Sequence, residues 1–241
     1  MIHRAGTEIV NWYLLEEGGK VTIVDAGCPA YRPQLDGALR DIGRTLEDVE
    51  AIVLTHAHID HIGFSQVLQD ERGTPVYAHS GELAQAQTGK PPKTEGSWVT
   101  AFLRHRTARR VVGHIVRNGG ARPPKVARVQ TFSDGDELDV PGRPNVVYTP
   151  GHSPGHCALH VPAEGSAFTG DALCGWNVVT GEQGPTLPPR EFSNSMAQAR
   201  ASLERIAALD AQTLYFGHGE PWTRGAAAAV AEARARDKGA G

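Results

Sequence analysis

The chain reads AIVLT at residues 51–55 and continues directly as HAHIDH at residues 56–61. The first five residues are apolar or β-branched and uncharged, which predicts a short buried strand. Four potential metal ligands then fall within six residues, at the point where this strand ends. Because burying so many polar groups without a partner is costly, the run predicts a metal site.

The spacing within this run indicates how its side chains divide. Side chains at i and i+2 of an extended chain point to the same side, so His56 and His58 are placed to share one metal ion. If the chain turns into a helix at Asp60, that carboxylate and His61 face a neighbouring point. One short segment therefore predicts two adjacent metal positions.

Three later segments offer further ligands in a similar setting. His152 lies in TPGHSPGH (149–156), Asp171 in TGD (169–171) and His218 in FGHG (216–219). Each candidate follows an apolar, strand-like run and has a glycine beside it, which permits unusual dihedral angles and a close approach of the backbone to a bound group. Sites are commonly built from loops at strand ends, so we expect these loops to meet at one edge of the fold.

The order of these motifs resembles that of the metallo-β-lactamase-fold hydrolases. HxHxDH, TPGHSPGH, TGD and GHG follow the family's order, VDAG (24–27) matches its first motif, and the resemblance runs from about residue 9 to 221. It implies an α/β fold, a four-layer αβ/βα sandwich with a two-metal site at one edge of its sheets. It also implies the ligands: His56, His58 and His152 for the first metal, Asp60, His61 and His218 for the second, and Asp171 bridging them.

Within that family, the TGD segment with Asp171 is more similar to the glyoxalase II, lactonase and ribonuclease Z branches than to true β-lactamases. The resemblance implies a hydrolase that uses a metal-bridging hydroxide to cleave a small ester, thioester or lactone. Imidazole and carboxylate ligands suit zinc, which is our first expectation for both divalent ions, and also iron or manganese. Asp60 is predicted to act catalytically as well, by steering the hydroxide or relaying a proton.

Three alternatives remain open at this level. A mononuclear iron enzyme of the persulfide dioxygenase type carries a similar ligand pattern, and a phosphodiesterase uses a similar metal pair. A metal-binding module without enzymatic activity is the third alternative, and a full set of ligands argues against it.

Trp176 and Asn177 follow Asp171 closely, and we predict that they face the substrate cleft. In lactonase-like relatives a tyrosine near this place helps to hold the substrate, and the tryptophan here argues against activity on acyl-homoserine lactones. The C-terminal basic residues that bind glutathione in glyoxalase II have no convincing counterpart, which argues against that activity. The substrate is expected to be a small molecule, and its identity is not predicted.

The candidate ligands run from His56 to His218, so we expect one domain over all 241 residues. The sequence contains no run of 18 or more apolar residues, so no membrane span is expected. The N-terminal residues lack the apolar core of a signal peptide. We therefore expect a cytoplasmic protein without a membrane partner, and a homo-oligomer is compatible with the sequence. The three cysteines have no CxxC spacing, which argues against a disulfide framework.

Residues 96–133 differ from the rest of the chain in charge. They contain eight basic residues and no acidic one, whereas the whole chain has a net charge of −3. Interleaved apolar residues predict one or two amphipathic helices and then a loop over 118–124, in an insertion over about 80–128 near the active site. This segment is predicted to be a solvated or partner-facing surface, a positive wall for an anionic substrate, or, through Trp98 and Phe102, a pocket for an acyl chain. Nucleic acid ranks lowest as a partner.

Periodicity and turn signals predict the remaining elements. Helices are expected over residues 34–42, 64–70, 193–209 and 226–236. Strands are expected over 9–15 and 21–25, joined by a hairpin at Gly18-Gly19, over 76–78, and near Val129, Leu138, Val146, Ala158 and Ala167.

Overall fold

Two sheets form the centre of the computed structural model, which describes residues 1–239. The first sheet has the order β1-β2-β3-β4-β5-β6, antiparallel up to β3 and parallel from β3 onwards. Its strands are β1 (Ile2–Gly6), β2 (Asn11–Glu17), β3 (Lys20–Val24), β4 (Val49–Val53), β5 (Val76–His79) and β6 (Val129–Phe132).

The second sheet has the order β12-β9-β8-β7, and a separate two-stranded ribbon pairs β10 with β11. These strands are β7 (Asn145–Tyr148), β8 (Cys157–Val161), β9 (Ser166–Gly170), β10 (Cys174–Trp176), β11 (Gln183–Thr186) and β12 (Thr213–Phe216). The helices of the chain are α1 (Arg32–Asp41), α2 (Ile59–Ile62), α3 (Ser65–Arg72), α4 (Leu83–Thr88), α5 (Trp98–Arg104), α6 (Arg106–Ile115), α7 (Met196–Ala207) and α8 (Ala226–Gly239).

Three apolar cores separate four layers. One core joins the first sheet to α1 and α3, a second lies between the two sheets, and a third joins the second sheet to α7 and α8. Strand β2 shows how the sequence specifies this, because Trp12 and Leu14 pack toward the helices while Tyr13 and Leu15 pack between the sheets. Alternate side chains of a strand point to opposite faces, so an uninterrupted apolar run suits a sheet covered on both sides. The predicted αβ/βα sandwich is confirmed.

Most predicted elements are present, with ends displaced by at most three residues. The Gly18-Gly19 hairpin is confirmed, with φ of 59° and 86° at the two glycines. Strands β1, β10 and β11 were not predicted. Where a strand was predicted near Leu138, the structure has an isolated antiparallel bridge between Glu137 and Asn145 instead of a full strand. Leu138 N–H donates to the Pro144 carbonyl (3.0 Å) as one of the hydrogen bonds of this bridge. The chain then turns over residues 140–143, where Arg143 N–H donates to the Val140 carbonyl (2.9 Å), since Pro141 has no N–H for a sheet ladder and Gly142 takes a left-handed φ of 85°.

The connection between β5 and β6 carries the insertion predicted over residues 80–128. It contains α4, α5 and α6, and α6 continues into a wider turn at Val116–Gly120 before an irregular segment. The two amphipathic helices predicted from the sequence are thus α5 and α6. Across residues 1–239, no helix is both long enough and apolar enough to cross a membrane.

The four strand ends singled out in the sequence lie at one edge of the sandwich. The chain leaves β4 into residues 54–61, β7 into 149–156, β9 into Asp171, and β12 into His218. Asn11 at the start of β2 helps to hold the last of these, because its side-chain amide donates to the carbonyls of Phe216 (3.0 Å) and Gly219 (2.7 Å). The fold therefore brings residues far apart in sequence to one place.

Candidate metal centre

The first group of candidate ligands is His56, His58 and His152. His58 Nδ1 lies 3.1 Å from His56 Nε2 and 2.8 Å from His152 Nε2. A tetrahedral ion with metal–nitrogen bonds of about 2.0–2.1 Å places neighbouring ligand atoms about 3.3 Å apart. The three nitrogens therefore converge at nearly the spacing of ligands on one ion.

The second group is Asp60, His61 and His218, whose ligand atoms all lie within 4.8 Å of one another. Asp171 stands between the two groups. Its Oδ2 lies 3.2 Å from His218 Nε2 and 3.5 Å from His152 Nε2. One carboxylate thus reaches a nitrogen of each group, which is the placement required of a bridge.

Two buried atoms in this cluster have no hydrogen-bond partner within residues 1–239. They are His61 Nε2 and Asp171 Oδ1, which lie 3.7 Å apart. An unpaired buried polar atom is costly, and a cation between these atoms would satisfy both. Gly217 keeps the space open, because a Cβ there would overlap Asp171 Oδ1. The donor set and its geometry fit divalent metal ions.

Hydrogen bonds on the far side of the rings orient the second group. His61 Nδ1 donates to Asp25 Oδ2 (2.8 Å), and His218 Nδ1 donates to the Ile9 carbonyl (2.5 Å). Each bond leaves Nε2 directed into the cluster, and such outer partners typically fix the tautomer of a ligating histidine. Asp25 has a φ of 58°, a rare conformation for a residue with a side chain.

The first group is held in the same way. His56 Nδ1 donates to Thr55 Oγ1 (3.1 Å), and the Thr55 hydroxyl in turn donates to the Asp25 carboxylate (2.9 Å). His152 Nδ1 donates to Ser193 Oγ over a longer distance, 3.4 Å. Asp25 therefore supports one ligand of each group, directly in one case and through Thr55 in the other.

A buried carboxylate, Glu82, joins the two loops that carry the first group. Its Oε2 accepts from Ala57 N–H (2.8 Å), and its Oε1 accepts from Ser153 Oγ (2.7 Å) and Gly155 N–H (2.7 Å). Only 1% of the residue is exposed. Glu82 thus fixes the loop of His58 against the loop of His152, and it does so from the start of the insertion.

His156 supports Asp171 rather than joining the cluster. Its Nε2 accepts from Asp171 N–H (3.0 Å), and its Nδ1 donates to Thr149 Oγ1 (3.0 Å). Burial lowers the pKa of His156 to about 3, so the ring is neutral and able to accept that bond. Gly170 is required beside it, because a Cβ there would lie 2.8 Å from His156 Nε2, and the φ of 48° strains any other residue.

The two groups differ in their protonation. Burial lowers the pKa of His56, His58 and His152, and the neighbouring imidazoles depress the pKa of His56 and His152 further. Burial would also lower the pKa of His61, but the carboxylates of Asp25 and Asp171 outweigh it and raise this pKa to about 10. In the same way Asp171 raises the pKa of His218 against the effect of burial. The first group is therefore neutral near pH 7, whereas His61 holds a proton there in the absence of metal.

A cavity of about 380 Å³ opens on the cluster. Its floor includes the side chains of His58, Asp60, His152, Asp171 and His218. Its walls are mainly apolar and come largely from the insertion: Trp98, Val111, Val112, Ile115, Val116, Pro91 and Pro92, with Val178 and Phe192 from outside it. Among residues 1–239, no lysine or arginine lines this cavity.

Three expectations about the cleft are corrected. Trp176 is buried in the core between the first sheet and its helices and does not line the cavity, because β10 turns its side chain inward. Asn177 lines a different surface cavity, and its Oδ1 accepts from the N–H groups of Val179 and Thr180. Val178, between them, lines the cavity instead. Phe102, unlike Trp98, does not line it either.

Sequence reasoning did not assign roles to Glu82, Ser193 or Gln85, all of which contact the ligand loops or the cavity. No spacing pattern connects Glu82 or Ser193 to the histidines they support, since the contacts form only when distant loops meet. A role for Thr55 could have been suspected from the sequence, because it directly precedes the HxHxDH run. Cys174 is a buried thiol whose pKa burial raises well above its usual value, so it stays protonated.

Comparison with known proteins agrees with this geometry. The family model of the metallo-beta-lactamase superfamily matches residues 5–218. The probable metallo-hydrolase YflN of Bacillus subtilis is 27% identical over 92% of this chain and 85% of its own length. The protein ML0493 of Mycobacterium leprae is 30% identical over 92% of both chains.

A solved structure shows the same architecture. The metallo-beta-lactamase family protein TTHA1429 from Thermus thermophilus is 28% identical and superposes with a TM-score of 0.70, covering 99% of this chain and 79% of its own. The family match covers most of the chain, and the His and Asp cluster lies within it. The chain thus belongs to the metallo-β-lactamase superfamily, as a metallo-hydrolase of that superfamily.

Proposed function

We propose that this protein hydrolyses a small ester, thioester or lactone with a largely apolar body, using two divalent metal ions, with zinc as the first expectation. The observation that carries this proposal is the cavity of about 380 Å³, whose floor is the candidate metal cluster and whose walls are mainly apolar. Concave, mostly apolar sites with a few convergent polar groups are typical of small-molecule binding.

The seven side chains of the cluster fall into two groups of three ligands and one bridging carboxylate. His56, His58 and His152 would hold one ion, Asp60, His61 and His218 the other, and Asp171 would bridge them. When bound, such a pair supplies the Lewis acidity that activates water at neutral pH and polarises the scissile carbonyl.

Asp60 is the proposed proton carrier. It lines the cavity as well as belonging to the second group, so it faces both the substrate and the cluster. An oxygen of its carboxylate that is not used as a ligand would take a proton from the attacking water and return it to the leaving alkoxide or thiolate. A proton carrier has to lie within hydrogen-bond reach of both partners, and this position allows it.

The position of Asp171 supports a place in the glyoxalase II and lactonase-like branch rather than among true β-lactamases. Its carboxylate oxygen lies within 3.5 Å of nitrogens from both groups, as a bridging aspartate requires. The bridging role rests on this placement.

The apolar walls favour substrates that carry an aliphatic or aromatic chain. Burial of apolar surface contributes about 0.8 kcal/mol per methylene group, so longer chains should bind better until the cavity is filled. The walls in the described chain have no basic side chain, and the prediction of an anionic substrate therefore rests on the wider charge of residues 96–133 alone.

The test is a panel of uncharged esters, thioesters and lactones of increasing chain length, assayed with the metal-loaded protein. We expect kcat/KM to rise with chain length and then level off. Val112→Trp, which fills the cavity from α6, should lower kcat/KM for long chains at least tenfold and leave the shortest substrates unchanged.

Arg106→Trp provides the matched control, since Arg106 is exposed at the start of the same helix and does not line the cavity. No hydrolysis of any substrate class by fully loaded protein would contradict the proposal. Equal effects of Val112→Trp on short and long chains would contradict the assignment of the cavity.

A further inference from the structure

One polar side chain in the apolar wall, Gln85 of α4, has a carbonyl oxygen without a partner. The residue is only 8% exposed, it lines the cavity above the metal cluster, and its Oε1 is buried without any hydrogen bond. Leaving such a group unpaired lowers the stability of the folded protein, which is a cost. An apolar residue of similar shape would avoid that cost, which indicates that a polar group serves a purpose at this position.

The backbone around Gln85 is firmly held. Glu82, three residues earlier, is fixed by its hydrogen bonds to both loops of the first ligand group. Gly89 N–H donates to the Gln85 carbonyl (2.7 Å), and Val126 N–H donates to the Ala86 carbonyl (2.8 Å). The side chain therefore lines the cavity from a backbone segment that is hydrogen-bonded at both ends and lies close to the ligand loops.

Two other polar side chains of the wall differ from Gln85. The Thr94 hydroxyl donates to the Gly96 carbonyl (2.8 Å), so its hydrogen is already used. Glu191 is partly exposed and can be hydrated. Gln85 combines burial, a place in the wall and an unused hydrogen-bonding atom.

We infer that Gln85 is a specificity residue whose side-chain amide hydrogen-bonds a polar group in the body of the substrate. This inference rests on the proposed function and narrows its substrate class. The substrate is an apolar ester, thioester or lactone that also carries an amide, placed along the chain at a distance from the bond that is cleaved. A secondary amide has both an N–H and a carbonyl, and so suits either orientation of the glutamine side chain.

Selectivity follows from the unpaired state of this group. A substrate with the amide satisfies Oε1 once the glutamine amide turns and brings this closed-off atom to the cavity surface, whereas a substrate with methylene groups in its place leaves Oε1 unpaired. Sites built to form a hydrogen bond reject analogues that lack it, for this reason. We expect the wild-type protein to prefer the amide-bearing member of a matched pair by about tenfold or more in kcat/KM.

The experiment compares two substrates of equal length, one with an internal amide and one with methylene groups in its place, in wild type and in Gln85→Met. Methionine has a similar length and no hydrogen-bonding group of comparable strength. The substitution should lower kcat/KM for the amide substrate about tenfold and leave the other unchanged or improved. Gln87→Met, at an exposed position of the same helix, should change neither.

Binding gives a second readout that does not depend on turnover. Calorimetry with an uncleavable ketone analogue of each substrate should show the same tenfold preference in wild type and its loss in Gln85→Met. If wild type cleaves both substrates equally and the variant behaves alike, the inference is overturned while the proposed function stands. If wild type cleaves neither but binds the amide analogue through Gln85, the proposed function fails and the recognition role stands. Absence of both cleavage and discrimination overturns both.

Discussion

The floor and the roof of the cavity are built in opposite ways. The floor is the cluster of seven candidate ligands, and six of these residues are buried. Histidines from both of its groups are fixed by further hydrogen bonds to Asp25, Thr55, Ser193 or the Ile9 carbonyl. The roof is the part of the wall that comes from the insertion, namely α4, α5, α6 and the segments between them. It presents mainly apolar side chains to the cavity.

This difference indicates a division of labour. Polar groups in the floor are already oriented, so they can serve metal-assisted chemistry without reorganisation. The roof can change in shape and polarity without altering a ligand, apart from the contact through Glu82. Under the proposed function, the floor sets the type of reaction and the roof sets the choice of substrate.

Removal of the bridge should have the largest effect. Asp171→Ala takes away the carboxylate that reaches both groups, so the second ion should be lost and kcat/KM should fall by about a thousandfold or more. Steady-state kinetics and metal analysis measure this. Circular dichroism should show that the fold is retained. A fully active Asp171→Ala protein would contradict the proposed bridging role of Asp171.

Loss of the contact between floor and roof should come next. Glu82→Ala leaves three donors without their acceptor, of which each unpaired buried donor typically costs about 1–3 kcal/mol. We expect the free energy of unfolding to fall by about 3 kcal/mol or more in urea titrations, and metal affinity to fall 10–100-fold.

Glu71→Ala is the control for this change, because among residues 1–239 the exposed Glu71 carboxylate pairs only with Arg32, at the surface. Exposed ion pairs typically contribute about 0–1 kcal/mol. Equal stability of the Glu82→Ala and Glu71→Ala proteins would show that Glu82 does not join the two parts.

The two halves of the floor should respond differently to pH. The pKa of His61 is raised to about 10, so metal must displace its proton at any lower pH, whereas the pKa values of His56 and His152 are lowered and their rings are already neutral at pH 7. Between pH 7 and 9, affinity for the second ion should rise about tenfold per pH unit for each proton displaced. Affinity for the first ion should stay nearly constant over that range.

Competition with a chelating dye at several pH values measures both constants, and proton release can be followed in weak buffer. His56, His58 and His152 should load without releasing protons. Proton release of equal size for the two ions would contradict the assigned protonation.

The smallest effect is expected at the outer surface of the roof. Arg104, Arg106 and Arg117 are exposed and do not line the cavity, so replacing all three by alanine should change kcat/KM for uncharged substrates less than twofold. For a negatively charged substrate, the same variant should lower kcat/KM and weaken its dependence on salt. An unchanged salt dependence would show that the basic residues of segment 96–133 do not contribute to substrate recognition.

The floor could be predicted from the sequence because its ligands lie at recognisable spacings after apolar strands. His56, His58, Asp60 and His61 are local to one loop, and the glycines beside Asp171 and His218 mark tight turns. The layers of the fold were implied by the family resemblance, and the apolar runs located most of the strands and helices. Strand β1 lacked such a run, and all five of its residues are half-buried.

The roof could be predicted only in outline. Composition indicated amphipathic helices over residues 96–133, and α5 and α6 are present. Which side chains face the cavity depends on how those helices dock, and no local pattern fixes that. Trp176 was placed wrongly because nearness to Asp171 in sequence does not determine the direction of its side chain. Gln85 gave no signal, since its importance lies in the absence of a partner.

The proposed function requires that the floor hold two divalent ions. Metal content per chain should be measured by elemental mass spectrometry, on protein purified without added metal or chelator. We expect close to two ions per chain in wild type, zinc first among them, and one or fewer in Asp171→Ala. A single iron per chain, with oxygen uptake instead of hydrolysis, would contradict the account and favour a mononuclear iron oxygenase.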